Sequence, residues 1–246
     1  MYFRQLLHDD KSCTSYVIGC VNVGAAAVVD PQGDAESYIE LTSRAGTPIT
    51  HVIDTHVHAD HYSGAAELAQ RAGAPLYLGQ GAEVDFPYEA LHDGDVLRIG
   101  NRNIRVLHTP GHTPEHVSLL VDDWFVLTGD TLFVGDVGRV DLASGPGDEE
   151  LELRAKELHA SLQTLFELPD HVEVYPGHYA GSVCGRGMDG KPSSTIGRER
   201  RTNEALALDV DSFVQFQLGN LPPLPQDFHR IKEANRTATA SDNARS

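Results

Sequence analysis

The chain has 246 residues, 40% of them hydrophobic, enough for one large domain with a real core. Lys and Arg number 19 against 36 Asp and Glu, a net charge of −17 that argues against a phosphate-backbone partner held by a basic surface. No apolar run reaches the ~18 residues of a membrane helix, and the start MYFRQLLHDDKS carries no charged-then-apolar leader pattern, so a cytoplasmic protein with no nucleic-acid or membrane partner is expected.

The first 30 residues read as three strands, YFRQLL, TSYVIG and AAAVVD, each ending at a turn-forming residue. Residues 34–45 read as a helix capped by Asp34 and followed by Gly46. ITHVID is a strand that runs into DTHVHADHYSG, and SGAAELAQRAG is a helix with Ser63 as cap and Gly73 as stop. Short strands follow: PLYLG, DVLRIG, NIRVLHTPG, HVSLLVDD and WFVLTGD, with a hairpin at Asp122-Asp123. Residues 148–168 form the longest helical stretch, with Leu151, Leu158, Leu162, Leu165 and Phe166 on one face. HVEVYPGH is again a strand, 181–197 a Gly- and Ser-rich loop, and 199–218 two short helices. Residues 1–220 are expected as one domain and 221–246 as a short tail, Pro-broken at LPPLPQDF and disordered at its end.

Three cysteines, Cys13, Cys20 and Cys184, make no disulfide framework. Cys13 and Cys20 fit small buried hydrophobes. Cys184, in the Gly-rich loop, is expected to be accessible.

The chemistry concentrates between Asp54 and His61, where three His and two Asp fall within eight residues. Three more strands end in Gly and then a metal-capable side chain: His112 in HTPGHT, Asp130 in LTGDT and His178 in YPGH. Converging loops would gather His56, His58, Asp60, His61, His112, Asp130 and His178. Such a set contains no Cys, which argues against a closed structural zinc site. Imidazole and carboxylate suit Zn, Fe, Mn or Ni. Seven candidates fit either two metals sharing a bridging carboxylate or one metal with polar groups around its ligands. His8, His51, His92, His108, His116, His159, His171 and His229 are read as structural.

The order HVHADH, PGHT, TGDTLF and GH resembles the metallo-β-lactamase superfamily over roughly residues 10–180. The resemblance implies an α/β fold, the four-layer αββα sandwich, with metals at one edge of its two sheets. In dinuclear members His56, His58 and His112 would hold one ion, Asp60, His61 and His178 the second, and Asp130 would bridge. The run GDTLFVGDVGRVDL resembles two branches, the glyoxalase II type and the persulfide dioxygenases. The latter carry a Gly-Arg-x-Asp element, here Gly138, Arg139 and Asp141. Ser193-Ser194-Thr195, Glu199-Arg200, Asn203 and QLGNLPPLPQDF point the same way, and the helical glutathione-binding tail of glyoxalase II is not visible. A rhodanese domain, often fused in the bacterial branch, does not fit within these residues.

The dioxygenase resemblance implies one Fe(II) per chain, held by His56, His112 and Asp130 with positions open for O2 and a thiol persulfide. His58, Asp60, His61 and His178 would surround it. Arg139 would lie near the substrate or form a structural pair with Asp141. Better-known members carry Asp then Tyr after the last His, whereas here Tyr179 follows His178 directly and is the catalytic candidate. The alternative is a hydrolase of thioesters or lactones with two Zn(II) per chain. A non-enzymatic metal-binding or sulfur-carrier role is the third. A homodimer is usual in the family.

Overall fold

Side chains alternate across a strand, and in this chain the strands at 13–20, 25–29, 117–121 and 125–129 are buried on both faces. The computed structural model describes residues 1–9, 11–142, 147–219, 221, 224 and 227–238. In one sheet β1 (Tyr2–His8), β2 (Cys13–Cys20), β3 (Ala25–Val29), β4 (Ile49–Ile53), β5 (Leu76–Gly79) and β6 (Glu89–Leu91) lie side by side in that order. In the other, β7 (Val96–Ile99), β8 (Arg102–His108), β9 (Val117–Val121), β10 (Phe125–Gly129), β11 (Glu173–Pro176) and β12 (Ser194–Thr195) do the same. Parallel pairing links β3 through β6 and joins β10 to β11. Helices make three of the crossovers that parallel pairing requires: α1 (Ala35–Arg44) between β3 and β4, α2 (Ala65–Ala72) between β4 and β5, and α3 (Asp148–Phe166) between β10 and β11.

The layers follow from the alternation. Tyr16, Ile18, Ala27, Val29 and Ile53 face Ile104, Val106, Leu119, Phe125 and Leu127 between the sheets. Their neighbours Val17, Ala26, Val28 and Val52 point outward under Tyr38, Ala65 and Leu68 of α1 and α2. On the far side, Leu107, Leu120, Val126 and Val174 pack under Ala155, Leu158, Leu162 and Leu165 of α3. The result is the expected αββα sandwich. Each buried Leu, Ile or Phe of these layers contributes about 1.5–3 kcal/mol.

Most expected elements are present. Asp34 caps α1 by accepting from the Glu36 N–H at 3.0 Å. The hairpin turns at Asp122 and Asp123 with φ of 48° and 51°, the left-handed pair that suits the twist of a two-residue loop. Other details differ. At α2 the helix boundary falls at Gly64, one residue later than expected, while the capping side chain is that of Ser63, whose hydroxyl accepts from the Ala65 N–H at 3.0 Å and donates to Asp54 at 2.7 Å. The region 199–218 holds α4 (Ile196–Thr202), a 3-10 turn (Glu204–Ala207) and α5 (Val210–Gly219). Within 221–246, expected as a tail, α6 (Phe228–Thr237) packs Phe228 against Ala59, Phe133, Leu142 and Cys184. The expected disorder of the last residues falls largely on 239–246, outside the described residues. Cys184 is buried rather than accessible, because its loop folds inward. Asp136 accepts from the Gly187 N–H at 2.8 Å, and the Cys184 carbonyl accepts from the Arg139 N–H at 3.3 Å. Among the described residues no helix is long and apolar enough to cross a membrane.

Candidate functional site

Loops after β4, β8, β10 and β11 bring all seven expected residues into one buried region. Two of the preceding glycines show why the sequence repeats Gly there. Gly129 takes φ +47°, which turns the chain sharply into Asp130. At Gly177 the reason is space, since an added Cβ would lie 2.6 Å from Asp130 Oδ1.

One set of donor atoms comes from His56, His112 and Asp130, all within 4.8 Å of one another. His112 Nδ1 donates to the Arg139 carbonyl at 2.8 Å, which turns Nε2 toward Asp130 Oδ2 at 3.5 Å. His56 Nδ1 meets Thr55 Oγ1 at 3.0 Å and leaves Nε2 without a partner. Burial, reinforced by His58 and His112, holds His56 well below the usual imidazole pKa, so it is neutral and can donate a lone pair. Asp130 is 0% exposed. Burial pushes its carboxyl up, but neighbouring His178 and His112 outweigh that and hold it below the usual range.

His116, read as structural, supports this set. Its Nε2 accepts from the Asp130 N–H at 3.0 Å, so its proton lies on Nδ1, within 2.9 Å of Thr109 Oγ1 and 3.2 Å of Thr131 Oγ1. Burial, with His112 nearby, brings its pKa down to about 3 and keeps it neutral.

The remaining donors gather around Asp60. Its Oδ2 lies 3.1 Å from His61 Nδ1 and 3.3 Å from His178 Nε2. Cys13 Sγ lies 3.3 Å from that same oxygen and 3.6 Å from His61 Nδ1. Cys184 forms a further group with Asp60 and His178. The expectation of a donor set without Cys is therefore corrected. Cys13 and Cys184 stand beside it, one brought by β2 and the other by the inward-folded loop.

His58 belongs to neither group. Its Nε2 is 3.3 Å from Asp30 Oδ1 and 3.9 Å from Asp54 Oδ1, and its Nδ1 has no partner. Asp30, at φ +50° after β3, also accepts from the Thr55 N–H at 2.7 Å and so fixes the start of the cluster loop. Glu115 accepts from the Val57 N–H at 2.8 Å. Sequence reading missed Asp30, Glu115, Cys13 and Cys184; only the Asp that ends AAAVVD carried a signal.

Arg139 is 1% exposed and forms a two-pronged pair with Asp141, at 2.6 and 2.7 Å. Of its two expected roles, the structure contains the ion pair. Its backbone carbonyl meets the metal-capable set, and its guanidinium also donates to the Val183 carbonyl at 3.1 Å. Tyr179 is half-buried, and its hydroxyl donates to Asp9 at 2.8 Å.

The donor chemistry fits a metal. His56 Nε2, His58 Nδ1, His61 Nε2 and both Asp130 oxygens are buried without hydrogen-bond partners among the described residues. Burying that many uncompensated polar atoms is costly unless a cation answers them.

Residues 8–178 match the metallo-β-lactamase superfamily. The chain is 31% identical to the human mitochondrial persulfide dioxygenase ETHE1, over 94% of this chain and 86% of that protein. It is 32% identical to a hydroxyacylglutathione hydrolase of Bradyrhizobium, over 98% of this chain and 84% of that protein. It spans only 54% of the length of the β-lactamase hydrolase-like protein of Xylella fastidiosa, to which it is 29% identical over 87% of this chain. The crystal structure of ETHE1 from Myxococcus xanthus superposes with a TM-score of 0.85 at 31% identity, covering 97% of this chain and 99% of that one. The chain belongs to the metallo-β-lactamase superfamily, and its buried His and Asp groups form a metal-binding site of that fold.

Proposed function

We propose that this superfamily member is an iron-dependent persulfide dioxygenase, which converts a low-molecular-weight thiol persulfide such as glutathione persulfide to thiol and sulfite. One persulfide, one O2 and one water give one thiol, one sulfite and two protons. The observation that carries the reading is the compact group of His56, His112 and Asp130, two imidazoles and one carboxylate, the donor set of non-haem Fe(II) oxygenases. The likeness to persulfide dioxygenases supports it.

In this reading His56, His112 and Asp130 hold one Fe(II) per chain. The ion would supply the redox chemistry with O2 that zinc cannot offer. The protein's own residues set the stage. The Arg139 carbonyl fixes the His112 tautomer, and the ion pair with Asp141 holds that carbonyl still. His116 anchors the Asp130 backbone. Asp60, His61 and His178 form a buried hydrogen-bonding wall able to hold protons beside the substrate. Arg139 is thus assigned positioning rather than contact, and half-buried Tyr179, next to His178, is assigned to the thiol carrier. A cytoplasmic homodimer completes the proposal.

The second reading is a dinuclear zinc hydrolase of thioesters, favoured by the likeness to hydroxyacylglutathione hydrolases and by the intact Asp60, His61 and His178. Oxygen uptake by Fe(II)-loaded protein given glutathione persulfide separates them. Rapid uptake with sulfite release is expected; zinc near two per chain with thioester cleavage and no uptake selects the hydrolase.

A further inference from the structure

The cluster loop between β4 and α2 carries His56, His58, Asp60 and His61, yet it belongs to neither helix nor strand. Its peptide groups have no ladder to satisfy them, and buried peptide groups must be paired. A side chain from the far end of the chain supplies the partners. Asn235 of α6 donates from Nδ2 to the His58 carbonyl at 2.9 Å and to the His61 carbonyl at 2.8 Å. Its Oδ1 accepts from the Ser63 N–H at 2.9 Å. Both amide protons and the amide oxygen are used. A flipped amide would set oxygen against two carbonyls, so the network fixes the orientation.

Asn235 is 6% exposed. Its helix is held independently of it. Phe228 enters the cluster with Ala59, Leu142 and Cys184, and Lys232 Nζ donates to the Leu142 carbonyl at 3.1 Å. At the helix end, the Arg236 carbonyl accepts from the Asp85 N–H and Arg236 Nε donates to the Glu83 carbonyl, both at 2.8 Å.

We propose that Asn235 is a positioning residue of the metal site: its amide clasps the cluster loop from behind, fixing the backbone at His58 and His61 and thereby the affinity for metal. The proposal rests on the site's being a metal site and not on which metal or reaction it serves. Groups that orient ligands through one intermediate contact typically change metal affinity about 10–100-fold when removed.

The test uses the full chain, with Zn(II) alone as probe and a chromophoric chelator as competitor. Asn235→Ala should weaken Zn(II) binding by about 10–100-fold. Arg236→Ala, which removes a contact of the same helix away from the cluster loop, should lower the melting temperature of the metal-free protein without changing the Kd. An unchanged Kd in Asn235→Ala, or equal weakening in Arg236→Ala, overturns the proposal. A wild type that binds no Zn(II) and no Fe(II) overturns the metal reading and this proposal together. If Asn235→Ala fails to fold, amide exchange in wild type decides. A Ser63 N–H protected as strongly as the α6 amides supports the clasp, and fast exchange there overturns it.

Discussion

Two groups of donors share this site, and they differ in how well they satisfy themselves. Around Asp60, the oxygen Oδ2 is met by the Cys13 thiol at 3.3 Å and His61 Nδ1 at 3.1 Å, while His178 Nε2 lies 3.3 Å from both this oxygen and Asp130 Oδ2. In the group of His56, His112 and Asp130, protein contacts orient the backs of the ligands. Their inward atoms, His56 Nε2 and both Asp130 oxygens, make no hydrogen bond among the described residues, though Asp130 Oδ2 lies 3.3 Å from His178 Nε2 and 3.5 Å from His112 Nε2. A group whose outward atoms are fixed and whose inward atoms are unmet is prepared for an ion. A group that pairs with itself can persist without one. The difference is one of degree: His61 Nε2 of the Asp60 group is also buried without a hydrogen-bond partner among the described residues, and His178 joins the two groups.

The largest effect should come from Asp130→Ala, which removes both unmet oxygens. We expect complete loss of bound metal, measured by metal analysis, and of activity. Asp60→Ala sharpens the contrast. It should keep one metal per chain and lose about 10–100-fold in oxygen uptake. Loss of iron and uptake together would mean that the two groups act as one. His116→Phe removes the acceptor for the Asp130 N–H. It should destabilise the metal-free protein by about 1–3 kcal/mol in urea at pH 7.5.

That last gap should depend on pH. The folded state keeps His116 near a pKa of about 3, while the unfolded chain titrates near 6.5. Below 6.5 the unfolded wild type takes up a proton that the folded form refuses. Wild-type stability from this group is full above 6.5 and falls as pH drops toward 3, whereas Phe has no proton to gain. The gap should therefore narrow by about 1.4 kcal/mol between pH 7.5 and 5.5. The smallest expected effect concerns the thiols. Cys13, Cys20 and Cys184 are all buried, so a thiol reagent should find almost none in the native protein and all three in denaturant. A fast-reacting Cys13 or Cys184 in the native state would break the picture of a closed Asp60 group.

The strands that pack on both faces were legible because their demand for apolar residues leaves unbroken runs such as VSLLV and FVLTG. Strands of three and two residues, β6 and β12, leave no such pattern. Helix α6 was hidden by its polar sequence FHRIKEANRT, in which Phe228, Ile231 and Ala234 are the only buried apolar side chains. In the site, residue density gave His56, His58, Asp60 and His61 away, and the Gly that precedes them gave His112, Asp130 and His178. Asp30 meets His58 across 28 residues, Cys13 meets Asp60 across 47 and Asn235 meets His58 across 177, and locally each of these, like Cys184, looks like an ordinary strand, loop or helix residue. Arg139 was recognised by motif, but its contact with His112 is made by a carbonyl, a group that every residue possesses.

One junction has a bearing on how the protein comes to exist. At the site's edge Cys13 bridges His178, the Thr14 N–H donates to the Gly177 carbonyl at 2.8 Å, and the Tyr179 N–H donates to the Ser12 carbonyl at 3.1 Å. The first sheet is thus stitched to the last ligand across more than half the chain, a pairing of high contact order that closes slowly. On a ribosome the His-rich loop emerges well before the strand that carries His178. The nascent chain therefore passes through a period in which imidazoles are displayed but the cradle is unfinished. The cradle is complete only once residues 12–14 and 177–179 have paired.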